Sequence, residues 1–567
     1  MQNVILEKSL SKLLASGMFF TTIFLISGSV TDPVNVPKLM SLGVLACSSF
    51  ALIIFTDLRV RLFTEKKILL VSALFLMAMI SAVLFSNSPL SQNIYGSYGR
   101  NNGLLCYLFL GVILLGYSSL RSRRSFDLLI KALILSGFVN LAYGGWVIAF
   151  GDFVGWYNPY RGILGTFGNP NFIGAFLGMF FSVYIALAAG KQSSTKLRIS
   201  LVFVLPLTIL EILKSNAIQG RVLAALGLGI VGFFFLRSYS SRFWTGVYSI
   251  FTIVVGSTAL AGALQHGPLV DYIYKTSVSL RGQYWLAAWN TGSTNPVTGV
   301  GMDSFGDWYR RSRDVRAITL PGVNTTVNTA HNVWMDMFAF GGWPLFLAYL
   351  FLLTFPLIAI IKVMRRNKDY NPTFVALTVG WICYQVQSLI SINQIGLAIW
   401  GWALSGALVG YEIFTRNTSD SAGRSLKNIG STSRSNAERQ QVLGFMAIAG
   451  GAVVGLIVSL PPFTSDVKFR SSQIVRTLPA LQETMDIALF NPASTNKYLI
   501  NIQTLEASNL FELSHKYALL AVEWNPESFE LWKTLYYVTN STQQEKSTAL
   551  QNMKRLDPLN PDVTSTL

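Results

Sequence analysis

One histidine and three arginines stand where they could do chemistry. His331 sits in Asn328-Thr-Ala-His-Asn-Val-Trp-Met-Asp336, where a polar stretch meets an apolar one. An imidazole exchanges a proton near neutral pH and so suits general acid or base work; a structural role fits it equally. Asp336, five residues on, is placed to orient it only imperfectly along one helix. Arg281 lies in Ser279-Leu-Arg-Gly-Gln-Tyr-Trp285, and Arg221 follows Gln219-Gly220 at the mouth of an apolar run. A guanidinium offers a planar fork that suits phosphate oxygens, although such a residue also snorkels at a membrane surface. Arg161 opens Arg161-Gly-Ile-Leu-Gly-Thr-Phe-Gly-Asn-Pro-Asn171. Exposed amides in that turn, with the helix N-terminus after it, could hold an anion; an ordinary loop reads the same way. Arg310, Arg311, Arg313 and Arg316 form a basic cluster suited to lipid headgroups or a polyanionic ligand. The sequence has no P-loop, no serine-hydrolase elbow, no close pair of carboxylates and no DxD motif, which argues against a nucleotide-driven pump and a soluble sugar-nucleotide enzyme.

The elements that must hold these residues are apolar. Of 567 residues, 51% are hydrophobic and 13% charged, with a mean hydropathy of +0.45. A soluble chain carries about a quarter charged residues. Thirteen runs approach the ~20 residues needed to cross a bilayer: 11–30, 39–55, 68–86, 104–120, 128–150, 172–190, 199–213, 222–236, 245–263, 333–361, 372–392, 396–414 and 443–460. The first reads as an anchor rather than a cleaved signal. Cys47, Cys106 and Cys383 lie in apolar stretches, without disulfide or zinc spacing. The net charge of +17 is spread over short loops, which argues against nucleic acid.

Lys and Arg are concentrated in one set of loops, from Arg59-Val-Arg61 to the 416–439 stretch. The other short loops have only Lys38, Arg100, Arg161, Lys214 and Arg221. By the positive-inside rule the basic set is cytoplasmic. A large loop, 264–332, and the tail, 461–567, then lie outside, while 415–442 is a flexible cytoplasmic linker rich in Ser, Asn and Arg. Within the loop, Tyr284, Trp285 and Trp289 suggest an amphipathic interfacial helix.

The tail is helical in pattern. Its helices close on Phe490-Asn-Pro492, Trp524-Asn-Pro526 and Leu556-Asp-Pro558, close to the tetratricopeptide period. That pattern fits two or three degenerate repeats with a partner-binding groove, or an unrelated helical cap.

Three motifs together resemble the O-antigen ligase and Wzy-type polymerase superfamily. They are Gly165-Thr-Phe-Gly-Asn-Pro-Asn171, the 281–305 stretch with Pro296-Val-Thr-Gly-Val-Gly301, and Ala330-His-Asn332 followed by Phe340-Gly-Gly342. The likeness covers about residues 90–410, and the tail is similar to the repeat appendages of some members. The resemblance implies an all-α, GT-C-like bundle of 12–13 spans in the cytoplasmic membrane: an O-antigen ligase-like domain over 1–414, a further span at 443–460 and a helical-repeat tail. It implies transfer of a glycan from undecaprenyl diphosphate to a glycan, lipid or protein acceptor on the outer face, without a metal or other cofactor. It implies that His331 activates or positions the acceptor and that Arg281 and Arg221 hold the diphosphate. Arg161, Asn169, Asn171 and Asn332 are implied as further substrate contacts. Gln219-Gly220 precedes Arg221 where the family more often has Ser. Ligase, polymerase and protein O-oligosaccharyltransferase share these motifs. A small-anion transporter, with Glu211, Lys131 and Glu412 as candidate charges, and a scaffold acting through the tail are the alternatives.

Overall fold

A computed structural model describes residues 2–421 and 434–564. Residues 422–433 of the expected linker lie outside the described residues. The apolar runs fold as α1 (Gln2–Ile23), α2 (Asn35–Phe55), α3 (Lys66–Leu84), α4 (Leu104–Ser118), α5 (Arg123–Phe150), α6 (Pro170–Ala188), α7 (Thr195–Lys214), α8 (Ile218–Tyr239) and α9 (Arg242–Ala263). The long loop contains α10 (Thr276–Thr294) and α11 (Phe305–Ser312). Then come α12 (Val333–Arg366), α13 (Pro372–Ser388), α14 (Ile395–Ser421) and α15 (Arg434–Val475). The tail adds α16 (Leu478–Met485), α17 (Thr495–Ala507), α18 (Phe511–Trp524), α19 (Phe529–Tyr537) and α20 (Gln543–Leu556). Among the described residues there is no strand, only a bridge between Ala488 and Asn491.

Nine of these helices are long and apolar enough to cross a membrane, which makes this a multi-pass membrane protein with an all-helical bundle. Of the other four expected runs, α4 and α13 are shorter, and α1 and α7 carry more charge. The first run is displaced: α1 ends at Ile23, well before residue 30. The reason is local. Residues 24–34 turn back, with Ile26 N–H donating to Pro33 O at 3.0 Å. Lys38, in the first turn of α2, is wholly buried and donates its ammonium protons to the carbonyls of Thr21 and Thr22. It caps the carbonyl end of α1, where a cation is favoured, and is not a loop charge.

α15 runs through Pro461 and Pro462 to Val475, so the tail begins on the same helix as the last apolar run. Its apolar part packs closely on α2. A Cβ on Gly455 would come within 2.4 Å of Gly43 O, and one on Gly451 within 2.5 Å of Cys47 O. Small residues let two backbones approach where lipid supplies no hydrophobic drive.

The tail has its own core, which includes Leu481, Tyr498, Ile502, Leu505, Ala518 and Leu531. It docks on the long loop. Arg310 pairs with Glu530 at 2.6 Å and Asp557 at 3.0 Å, Arg313 with Asp557 at 2.7 Å, and Arg311 with Glu527. Asn525 donates to Asp307 at 3.2 Å. The basic cluster expected to face headgroups or a polyanion is thus turned inward onto the tail; of its four members only Arg316 is largely exposed. Buried arginines require partners, and here the tail's carboxylates supply them.

Candidate functional site

The site is built on a seam between the loop and a broken helix. α12 leaves helical geometry at Gly341 and Gly342, and Gly342 takes a φ of 61°. Such a break frees backbone groups that cannot be left unpaired at membrane depth. Loop residues 296–301 satisfy them. Val300 N–H donates to Ala339 O at 3.0 Å and Gly301 N–H to Phe340 O at 3.0 Å, while Trp343 N–H donates to Pro296 O at 2.8 Å. Pro296-Val-Thr-Gly-Val-Gly301 and Phe340-Gly-Gly342 are therefore two halves of one structure. A Cβ on Gly342 would sit 2.3 Å from Pro296 O, so glycine is required there for space as well as for φ.

The seam delivers Asp303. Its Oδ2 accepts from Ser97 N at 2.7 Å, Ser97 Oγ at 3.1 Å and Asn102 N at 3.1 Å. Its Oδ1 is buried without a hydrogen-bond partner. Burial pushes this carboxyl up to about 6, against the pull of the Ser97 and Asn102 hydrogen bonds and of nearby Arg100.

His331 lies just before α12, and α10 packs across it. Its ring packs against that of Tyr284 in a tilted arrangement, with centroids 5.6 Å apart. Burial, then the charges of Arg281 and Arg100, push the imidazole down to about 4. It is therefore neutral at physiological pH and, as the structure stands, a weaker base than a free imidazole. Burial also lowers the Arg281 guanidinium. Arg281 donates one hydrogen bond, to Ser277 O at 3.2 Å, and its Nε is buried without a partner. The Nε of Arg100 is buried and unpartnered too. His331, Asp303 and Asn101 all hold left-handed backbone, with φ of 53°, 54° and 56°. Non-glycine residues rarely do so, and such positions gather at functional sites.

Of the residues singled out in the sequence, His331 and Arg281 come together. Asn332 sits beside them as the cap of α12, accepting from Trp334 N at 3.0 Å and Met335 N at 3.2 Å. Asp336 accepts from Ala330 N at 2.7 Å, so it fixes the backbone before His331 rather than the ring. Arg221 is exposed in the first turn of α8, and Arg161 is exposed in a left-handed turn with φ 52°. Neither is among the charged neighbours of His331. Asn169 caps α6 and accepts from Asn171 N at 2.9 Å, while Thr166 N is bound to Asn140 Oδ1 at 3.0 Å. Two amides of that turn thus have internal partners.

Arg100 and Asp303 are the residues the sequence reading passed over. Arg100 was visible as one of few basic residues in its set of loops, inside Gly96-Ser-Tyr-Gly-Arg-Asn-Asn-Gly103. Asp303 carried no signal, because its hydrogen-bond partners, Ser97 and Asn102, lie 206 and 201 positions away in sequence. Among the described residues no group of three or more His, Cys, Asp or Glu is placed to hold a metal ion. No protein-family model matches the chain, and no curated protein matches it.

Proposed function

We propose that this chain is a glycosyltransferase of the O-antigen ligase and polymerase type, with a GT-C-like body and a tetratricopeptide-like tail. It moves a glycan from undecaprenyl diphosphate to an acceptor hydroxyl on the outer face of the cytoplasmic membrane. The observation that carries this reading is the pairing of a neutral His331 with two half-buried arginines, Arg281 and Arg100, whose Nε atoms are buried without partners. Unpaired buried guanidinium protons are costly and invite an anion with several oxygens.

In this reading the acceptor oxygen attacks the anomeric carbon. His331 takes the hydroxyl proton, the bond from the anomeric carbon to the diphosphate oxygen breaks, and the electron pair leaves with the diphosphate. Arg281 and Arg100 stabilise that charge, where low dielectric strengthens the interaction. Arg221, exposed at the start of α8, and Arg161, with Asn169 and Asn171, are placed in this reading along the path of the polyprenyl diphosphate. Asn332 holds the histidine turn.

The test is the envelope glycan of cells carrying Arg281→Ala, Arg100→Ala or His331→Ala. Each is expected to lose glycan transfer while the protein stays in the membrane. Normal glycan in all three sinks the proposal. Transport is the second reading, favoured by Glu211, which is buried inside α7 against Gly144. Intramembrane carboxylates mark ion or proton paths. Uptake of labelled phosphate into proteoliposomes, lost in Glu211→Gln, would favour it.

A further inference from the structure

Between the long loop and the tail lies an open cleft of about 120 Å³. Its loop wall includes Asp303, Asp307, Arg310 and Asn328. Its tail wall is made by two helix starts: Ser494 and Asn496 at α17, Ser528 and Glu530 at α19. The Ser528 side chain makes no cap bond, so the first amides of α19 remain available as donors. Tyr98 and Leu499 add apolar surface.

The charge pattern selects the ligand. Three carboxylates, Asp303, Asp307 and Glu530, line the cleft, and its arginine is already held by Glu530 and Asp557. An anion is therefore disfavoured. No metal-holding group forms there among the described residues. Glu530 is paired with Arg310, and Asp307 lies beside Arg311 and accepts from Gln92 and Asn525. Little charge is left over for a cation, and the lining is fitted by a neutral chain rich in hydroxyls. Its O–H groups can donate to the carboxylates, its oxygens can accept from helix amides and carboxamides, and its C–H faces can lie on Tyr98 and Leu499. Asp303 lines the cleft, and it and His331 both feel the charge of Arg100.

We infer that this cleft binds a neutral stretch of glycan and leads its reacting end toward His331. The inference rests on the transferase reading for its choice of glycan, and the cleft is a subsite built jointly by the loop and the tail. The chain can belong to the acceptor or to the lipid-linked donor.

The experiment uses the full chain in nanodiscs and, as probe, the host's envelope glycan released from its lipid and labelled at the reducing end. Fluorescence anisotropy reads binding to the wild type, to cleft-filling Asn328→Trp and Asn496→Trp, and to Ser508→Trp, an exposed position outside the cleft. We expect at least tenfold weaker binding in both cleft variants and none lost in Ser508→Trp. In transfer assays the same two variants should raise KM for whichever substrate carries the chain, which tells donor from acceptor. No binding by the wild type, equal binding by all variants, or displacement of the probe by a basic peptide but not by unlabelled glycan would each overturn the subsite. If Arg281→Ala abolishes transfer while the cleft variants bind normally, the subsite fails and the transferase stands. If the cleft variants lose the probe while Arg281→Ala, Arg100→Ala and His331→Ala all leave the envelope glycan normal, the transferase reading fails alone.

Discussion

The ring of His331 lies on the ring of Tyr284, 5.6 Å between centroids and 32° between planes. Tyr284 is three residues after Arg281 on α10, and residues at that spacing share a helix face. One turn of helix thus supplies both the surface that positions the imidazole and a charge that keeps it unprotonated.

Removing that surface should misplace the proposed base without removing it. A ring contact is worth ~0.5–1.5 kcal/mol, so Tyr284→Ala should slow transfer by about 2- to 10-fold, and Tyr284→Phe should match the wild type. Initial rates in isolated membranes measure this. An equal loss in Tyr284→Phe would instead assign the effect to the hydroxyl.

If His331 is the base, as proposed, the pH profile should be unusual. An ordinary imidazole gives a limb near 6.5. His331 is held down to about 4 and Asp303 up to about 6. Any acid limb near pH 6 should therefore belong to Asp303 and vanish in Asp303→Asn. The loss due to His331 should begin only below pH 5. By linkage, the folded chain binds the His331 proton more weakly than the unfolded chain. His331 alone would therefore make stability fall as pH drops from 6.5 toward 4, but Asp303, which binds its proton more tightly in the folded chain, opposes this below pH 6, so the fall should emerge in Asp303→Asn. A limb at 6.5 that survives Asp303→Asn would contradict this assignment.

Tail docking depends on a buried charge pair. The side chains of Arg313 and Asp557 are both 0% exposed. Removing one partner of such a pair costs about 3–5 kcal/mol. Asp557→Ala should loosen the tail, read as faster protease cleavage after α15 with little change in membrane-body unfolding. A more conservative Asp557→Asn should lie between. Unchanged cleavage in both would mean that docking is carried elsewhere.

The seam should not tolerate a side chain. Gly342→Ala places a methyl group against Pro296 O and forces alanine to φ 61° and ψ −157°, a region essentially reserved for glycine, which alone costs ~1–3 kcal/mol. Transfer should fall severely and the thermal midpoint in nanodiscs should drop. Gly450→Ala, which has open space around it, is the control and should match the wild type.

Much of the membrane body was legible because apolar periodicity reports burial directly. Each of the thirteen apolar runs falls on a helix, with α1 shifted toward its N-terminus. His331 stood out as one of three histidines, where the long loop meets the next apolar run, and Arg281 as a cation beside Tyr284 and Trp285. Asp303 and Arg100 did not, since their relation arises from backbone seams joining distant segments. The destination of Arg310, Arg311 and Arg313 was hidden for the same reason: a basic cluster reads alike whether its partner is a phosphate or a folded-back carboxylate. The continuation of α15 past Pro461-Pro462 ran against the usual meaning of two prolines.

α15 has 42 residues, so at 1.5 Å each it measures about 63 Å, roughly twice the ~30 Å of a bilayer core. It works as a ruler standing in the membrane. The height of the tail is set by counting residues, and its heading turns by about 100° for each one. A single residue inserted after Thr464 would leave every contact-making side chain intact and aim the tail away from the loop that it closes.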